Sequence, residues 1–161
     1  MSTAGFEEAF KASPLVKIRA CPELTVRVCS LAGLVILKLI AWHELYPERG
    51  RDAADVLEIM DRYEQAYGLD KLYSEEQDLL IREHFDSRLT AIRLLGRDVA
   101  RIVNPETGRL IRSILEDETG VESKHKLAVH MARERAVLGM ELQDIRTKLS
   151  KLKQGFIEGF V

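Results

Sequence analysis

The sequence predicts an α+β fold that is predominantly α-helical: a short N-terminal β-hairpin at about residues 15–29, then a bundle of four to five helices. Three observations carry this. Alternation of apolar and polar residues is confined to residues 15–29, helical spacing governs the rest, and all four prolines fall between periodic stretches. A chain of 161 residues fits one domain, residues 1–161, and can bury a core without disulfides or metal.

The elements follow in order. Phe6, Ala9 and Phe10 predict a short helix over residues 5–13, ended by Pro14. Val16, Ile18 and Ala20 alternate with Lys17 and Arg19, and Leu24, Val26 and Val28 alternate with Thr25 and Arg27, which predicts two strands joined around residues 21–23. A lone hairpin is marginal in water, so these strands are expected to join a larger sheet. Ser30 is an N-cap for a helix to about Tyr46, and Pro47 and Gly50 mark a turn. A helix over about 52–67 places Ala53, Val56, Leu57, Ile59, Met60 and Tyr63 on one broad face and stops at Gly68. One long helical stretch is expected over 74–103, ended at Asn104–Pro105, and a short one over 107–118, stopped by Gly120.

The last helix is expected over 124–153, capped by Ser123. Its Leu138, Leu142, Ile145, Leu149 and Leu152 step by 4, 3, 4 and 3, a seam of about two heptads. That is short for a coiled coil, so the expectation is packing on this domain, with a homodimer through Leu138–Leu152 as the alternative.

Charge is unevenly spread. The net charge is −2, yet residues 1–120 carry 16 Lys/Arg against 21 Asp/Glu, whereas residues 121–155 carry 8 against 4. The basic stretch reads as a solvated helix or as a phosphate- or partner-facing surface. It contains no aromatic residue to interleave with the cations, so nucleic acid is not an expected partner. Cys21 and Cys29 sit where they would not face each other, which fits a reducing compartment. Residues 1–10 lack the apolar core of a signal peptide. The longest apolar run, residues 31–42, is broken by Lys38 and is too short for a bilayer. A cytoplasmic protein without membrane contact is therefore expected.

Motif searches find little chemistry. There is no Gly-rich phosphate loop. His43–Glu44 begins like a zinc-protease helix but lacks the second histidine, and Pro47 stands there instead. His84, His125 and His130 have no ligand spacing, so the metal expectation is none and the histidines are read as structural or exposed. No serine or cysteine has a nucleophile context. By itself the chain holds no complete catalytic set.

One constellation stands apart. Lys38 interrupts Leu34-Val35-Ile36-Leu37-Lys38-Leu39-Ile40-Ala41-Trp42. A buried ammonium is costly unless paired, and its helix neighbours Leu34 and Trp42 offer no charge. Asp52 and Asp55, three apart near the start of the next helix, come within reach if the two helices pack antiparallel. One reading is a snorkelling lysine with capping aspartates. The other is a cation held ready for phosphates beside an acidic group that orients it. If Lys38 is an idle charge, Lys38→Met leaves stability unchanged or raises it; if it ties two helices together, the substitution lowers it.

The stretch Val28-Cys29-Ser30-Leu31-Ala32-Gly33 through Trp42, followed by Arg51-Asp52-Ala53-Ala54-Asp55-Val56, resembles the second half of nucleotidyltransferase-like proteins related to the AbiEii-type toxins of bacterial abortive-infection systems. The pattern is a small-residue helix start, a lysine before Ala–Trp, then a basic–Asp–x–x–Asp helix. Gly5-Phe6-Glu7-Glu8-Ala9 and Leu94-Leu95-Gly96-Arg97-Asp98-Val99-Ala100-Arg101 are also similar to that group, so the resemblance spans residues 5–102. It implies a nucleotidyltransferase sheet with a helical C-terminal region. It also implies transfer of a nucleotidyl group from a nucleoside triphosphate with Mg2+ held by an Asp-x-Asp pair after a Gly-Ser segment. On this resemblance Lys38 and Arg51 contact phosphate, and Asp52 or Asp55 positions the lysine.

The chain departs from the pattern where it matters most: it contains neither Gly-Ser nor Asp-x-Asp, and the family's Lys-Asp is Arg51–Asp52. It is expected to be a C-terminal portion, inactive alone, whose missing N-terminal half, expected before Met1, supplies the metal carboxylates and completes the sheet begun by residues 1–30. An antitoxin-like protein is a further possible partner. The alternative is a non-catalytic helical interaction module.

Overall fold

The computed structural model describes residues 3–134 and 141–160. Among them are one two-stranded sheet and nine helices, the predominantly helical α+β fold expected. Helix α1 (Phe6–Lys11) precedes strands β1 (Leu15–Ala20) and β2 (Glu23–Arg27); α2 (Leu31–Glu44) and α3 (Gly50–Tyr67) follow. Next are α4 (Leu69–Glu75), α5 (Gln77–Arg82), α6 (Ser87–Ile102), α7 (Pro105–Thr119), α8 (Lys126–Glu134) and α9 (Leu142–Gly159).

Eight described helices follow the hairpin, so the expected four to five is an undercount with two physical causes. The stretch expected as one helix over 74–103 is three. His84 and Phe85 take left-handed backbone angles (φ 53° and 64°), and the Phe85 N–H closes back on the Leu80 carbonyl at 2.7 Å. The side chain of Asp86 then accepts from the Leu89 N–H at 2.9 Å and starts α6 afresh. The stretch 124–153 likewise divides, because Glu141 is extended (φ −74°, ψ 142°) and opens α9 as a new helix.

The hairpin pairs Leu15 with Arg27, Val16 with Val26 and Lys17 with Thr25, then shifts register before Arg19–Leu24 and Ala20–Glu23. Each strand's main neighbour is the other strand. Leu15, Ile18, Leu24 and Val28 are exposed, as are Phe6 and Phe10 of α1. Its base is fastened by Arg27, whose Nη1 donates to the Ser13 carbonyl at 3.0 Å while the guanidinium lies 5.2 Å over the Phe10 ring. Cys21 and Cys29 are free thiols.

The core gathers around α2, whose Val35, Ile36, Leu39, Ile40 and Trp42 are buried. They meet Val56, Leu57 and Met60 of α3 and Ile92, Leu95 and Val99 of α6. Helix α8 is tied back by a bond between residues 88 apart: Trp42 Nε1–H donates to His130 Nδ1 at 3.1 Å. Tyr46 stacks on the same imidazole. Of the leucine seam, Ile145, Leu149 and Leu152 are buried in this chain's own core, Leu142 is exposed, and Leu138 lies outside the described residues.

Helices α6 and α9 form the closest crossing. A Cβ at Gly155 would overlap the Arg93 carbonyl, with its carbon 2.7 Å away, and one at Gly96 would lie 2.7 Å from the Phe156 nitrogen. Around this crossing the buried Arg93 binds Glu83 at 2.5 Å and also Glu158, Arg97 binds Glu158 and Asp78, and Lys151 closes on Glu83 at 2.7 Å. No helix among the described residues is long and apolar enough to cross a membrane.

Candidate functional site

Ser30 starts α2 by accepting the Gly33 N–H at 3.1 Å, and this sets the rotation of the helix. With Val35, Ile36, Leu39 and Ile40 inside, the partly exposed face carries Leu31, Leu34, Lys38 and Ala41. Five residues joining α2 to α3 force an antiparallel pair, and the start of α3 comes to lie beside the second half of α2.

Lys38 Nζ donates to Asp52 Oδ1 at 2.8 Å and pairs with Asp55 Oδ2 at 2.6 Å, so both aspartates singled out by spacing reach it. They differ in surroundings: the Asp52 side chain is 5% exposed, that of Asp55 44%. Neither caps α3, whose N-cap position is Arg49 without a side-chain cap bond. The capping half of the simpler reading therefore falls away. Arg49, not marked by the sequence reading, donates through Nε to the second oxygen of Asp52. The buried carboxylate thus bridges two cations, which is how such a charge is tolerated. Arg51 is exposed and stands outside this set of contacts among the described residues. The signal for Arg49 was its i,i+3 spacing to Asp52.

The bonds to Asp52 first and Asp55 second hold the Lys38 ammonium above the ordinary lysine range, against the opposing pull of burial. A raised lysine contributes stability in full below its unfolded pKa and loses it as pH rises through the folded value, so this tie is complete at neutral pH. Removing it strips the buried Asp52 of one of two cations. Lys38→Met is therefore expected to destabilise the fold by about 1–2 kcal/mol, read as a lower melting temperature at pH 7. A melting temperature at or above the wild type would show that the lysine is idle.

Asp52 does not fit a divalent cation, because Lys38 and Arg49 take its two oxygens, and Asp55 has the Lys38 ammonium on one of its own. Among the described residues no three His, Cys, Asp or Glu side chains cluster as metal ligands. The histidines have other work: His43 and His84 are exposed, His125 Nδ1 lies 3.0 Å from the Glu118 carbonyl, and His130 receives Trp42. What the arrangement offers chemically is a fixed ammonium, about one-third exposed, between one buried and one half-exposed carboxylate.

Comparison of the chain with protein-family models, curated proteins and solved structures found no match.

Proposed function

We propose that this chain is the helical portion of a nucleotidyltransferase-like protein in which Lys38 contacts the phosphates of a nucleoside triphosphate. The observation that carries the reading is the Lys38–Asp52–Asp55 cluster, where residues of the resemblance meet in space although 14 to 17 positions apart. Asp52, buried and clamped by Arg49, is the positioning carboxylate. Asp55, more exposed, is the one a phosphate would displace, since a charge-assisted bond to phosphate replaces one of the same kind. Arg49 is better placed than Arg51 to add a second cation. The metal-binding carboxylates, and with them the transfer step, belong to another segment or chain that adds to the exposed hairpin. The open edges and apolar residues of β1 and β2 support such an addition. The same surface also supports the second reading, a non-catalytic interaction module.

The test is calorimetric titration with inorganic tripolyphosphate, which carries the ligand's phosphates without its base. Binding by the wild type and a loss of about tenfold in Lys38→Met is the expected result. No binding, or equal binding by the variant, would remove the phosphate reading and leave the interaction module.

A further inference from the structure

Strand β2 has an outer edge that no other strand covers among the described residues. Glu23, Leu24, Thr25 and Arg27 along it are exposed. The Val28 N–H bonds the Pro14 carbonyl at 3.0 Å, so Val28 turns its backbone groups toward β1. By the two-residue alternation of a strand, Val26 and Leu24 do the same. Glu23, Thr25 and Arg27 therefore turn their N–H and C=O groups outward, as a template for a further strand.

This outward set is symmetric about Thr25. A second β2 laid antiparallel along it, on a two-fold axis at Thr25, sets Thr25 opposite Thr25, Glu23 opposite Arg27 and Leu24 opposite Val26. Every outward backbone group then meets an outward partner. The charges match as well. Arg27 makes no ion pair among the described residues, although the Ser13 carbonyl and the Phe10 ring fix its guanidinium. Glu23, which meets Lys17 at 2.9 Å, would gain Arg27 of the second copy as an additional cation. Strand β1 is not self-complementary in this way. A symmetric pairing about its middle sets Lys17 against Lys17 or against Arg19, and the register shift between those two residues interrupts the edge.

The apolar residues favour the same pairing. Val16 lies opposite Val26 within the hairpin, and Leu24 shares their face. In one chain that face belongs to a two-stranded ribbon, which is marginal in water. In a pair of chains it runs across four strands.

We infer that two copies of this chain associate through the outer edge of β2, joining their hairpins into one four-stranded sheet about a two-fold axis at Thr25. The dimer is independent of the phosphate reading of Lys38, and it leaves the outer edge of β1 open.

The experiment is sedimentation equilibrium of the full chain from about 1 μM to about 300 μM, the range that resolves a micromolar association. The mass is expected to rise from 18.3 kDa toward twice that value. Thr25→Pro removes an outward N–H and spares the bonds to β1, so it should weaken association by about tenfold or more. Its melting temperature should stay at the wild-type value, because the hairpin stands apart from the core. Register is read separately by Thr25→Cys in a background of Cys21→Ser and Cys29→Ser. Facing Thr25 positions are close enough for a disulfide, so mild oxidation should give a covalent dimer. Lys17→Cys in the same background, on the edge of β1, should stay unlinked. A wild type that remains at 18.3 kDa throughout would overturn the dimer. So would a Thr25→Pro variant that associates like the wild type, or equal cross-linking at Thr25 and Lys17.

Discussion

Gly155→Ala is expected to destabilise the protein by more than about 3 kcal/mol, because the added methyl has nowhere to go. It would meet backbone: the Arg93 carbonyl on the facing helix, with the Arg93 Cα 3.1 Å away. A flexible side chain can turn aside; a helix carbonyl cannot. Helices α6 and α9 would have to separate, and with them Leu95 from Leu149, Leu152 and Phe156, which are fully buried. For a domain of this size the loss corresponds to a melting temperature lower by roughly 10 °C. Gly96→Ala, whose Cβ would meet Leu152 and Phe156 backbone from the other side, should behave alike. Gly68→Ala gives the contrast: its Cβ has room, with Lys71 Cβ at 4.0 Å, and only its backbone angle (φ 96°) resists. Calorimetric melts of the three variants would show whether the α6–α9 crossing or backbone strain dominates. A Gly155→Ala variant that melts with the wild type would mean the two helices do not sit this close.

Arg93→Ala should cost about 3 kcal/mol or more, the range for breaking a buried ion pair from one side. Arg93 is buried between Glu83 and Glu158, and without it the Glu83 side chain, 2% exposed, keeps Lys151 as its one cation among the described residues. The substitution also changes the response to acid. Burial pushes the Glu158 carboxyl up, but the Arg93 and Arg97 guanidiniums outweigh it and hold it below the ordinary carboxylate range. Asp78 is held low chiefly by Arg97. A depressed carboxyl contributes stability above its unfolded pKa and loses it as pH falls through the folded value. The wild type should therefore lose stability below about pH 4. In Arg93→Ala that loss should be smaller, because Glu158 starts closer to its ordinary value. Denaturant melts at pH 7 and at acidic pH would check both points. An equal acid loss in the two proteins would remove the Arg93–Glu158 coupling.

Lys38 shows why part of the site was legible in the sequence. A lysine in an otherwise apolar helix demands a counter-charge, a short turn at Pro47 and Gly50 limits where the next helix can lie, and the spacing of Asp52 and Asp55 puts both on its near side. Each inference is local or spans one turn. The hairpin was legible on the same terms, since alternation with period two needs no knowledge of distant residues. Arg49 shows the limit. Its bond to Asp52 depends on which way the first turn of α3 faces, and a pattern read along the chain does not carry that orientation.

The break at residues 83–86 was out of reach for a different reason. No glycine or proline marks the chain between Leu79 and Leu89, and Glu83 at the break is held by Arg93 ten residues on and by Lys151 from α9. The bond from Trp42 to His130 and the near-contact of Gly96 with α9 likewise join residues whose separation in sequence carries no local signal.

By itself the sequence determined the fold class, the hairpin and the α2–α3 pair, and it marked Lys38, Asp52 and Asp55 as candidates to meet, because periodicity, caps and the cost of a lone buried charge act within a few helical turns. Only the tertiary structure decided where the long helices break, which arginine joins Asp52, and how closely α6 and α9 approach. Those features are set by side chains that become neighbours only when the whole core closes.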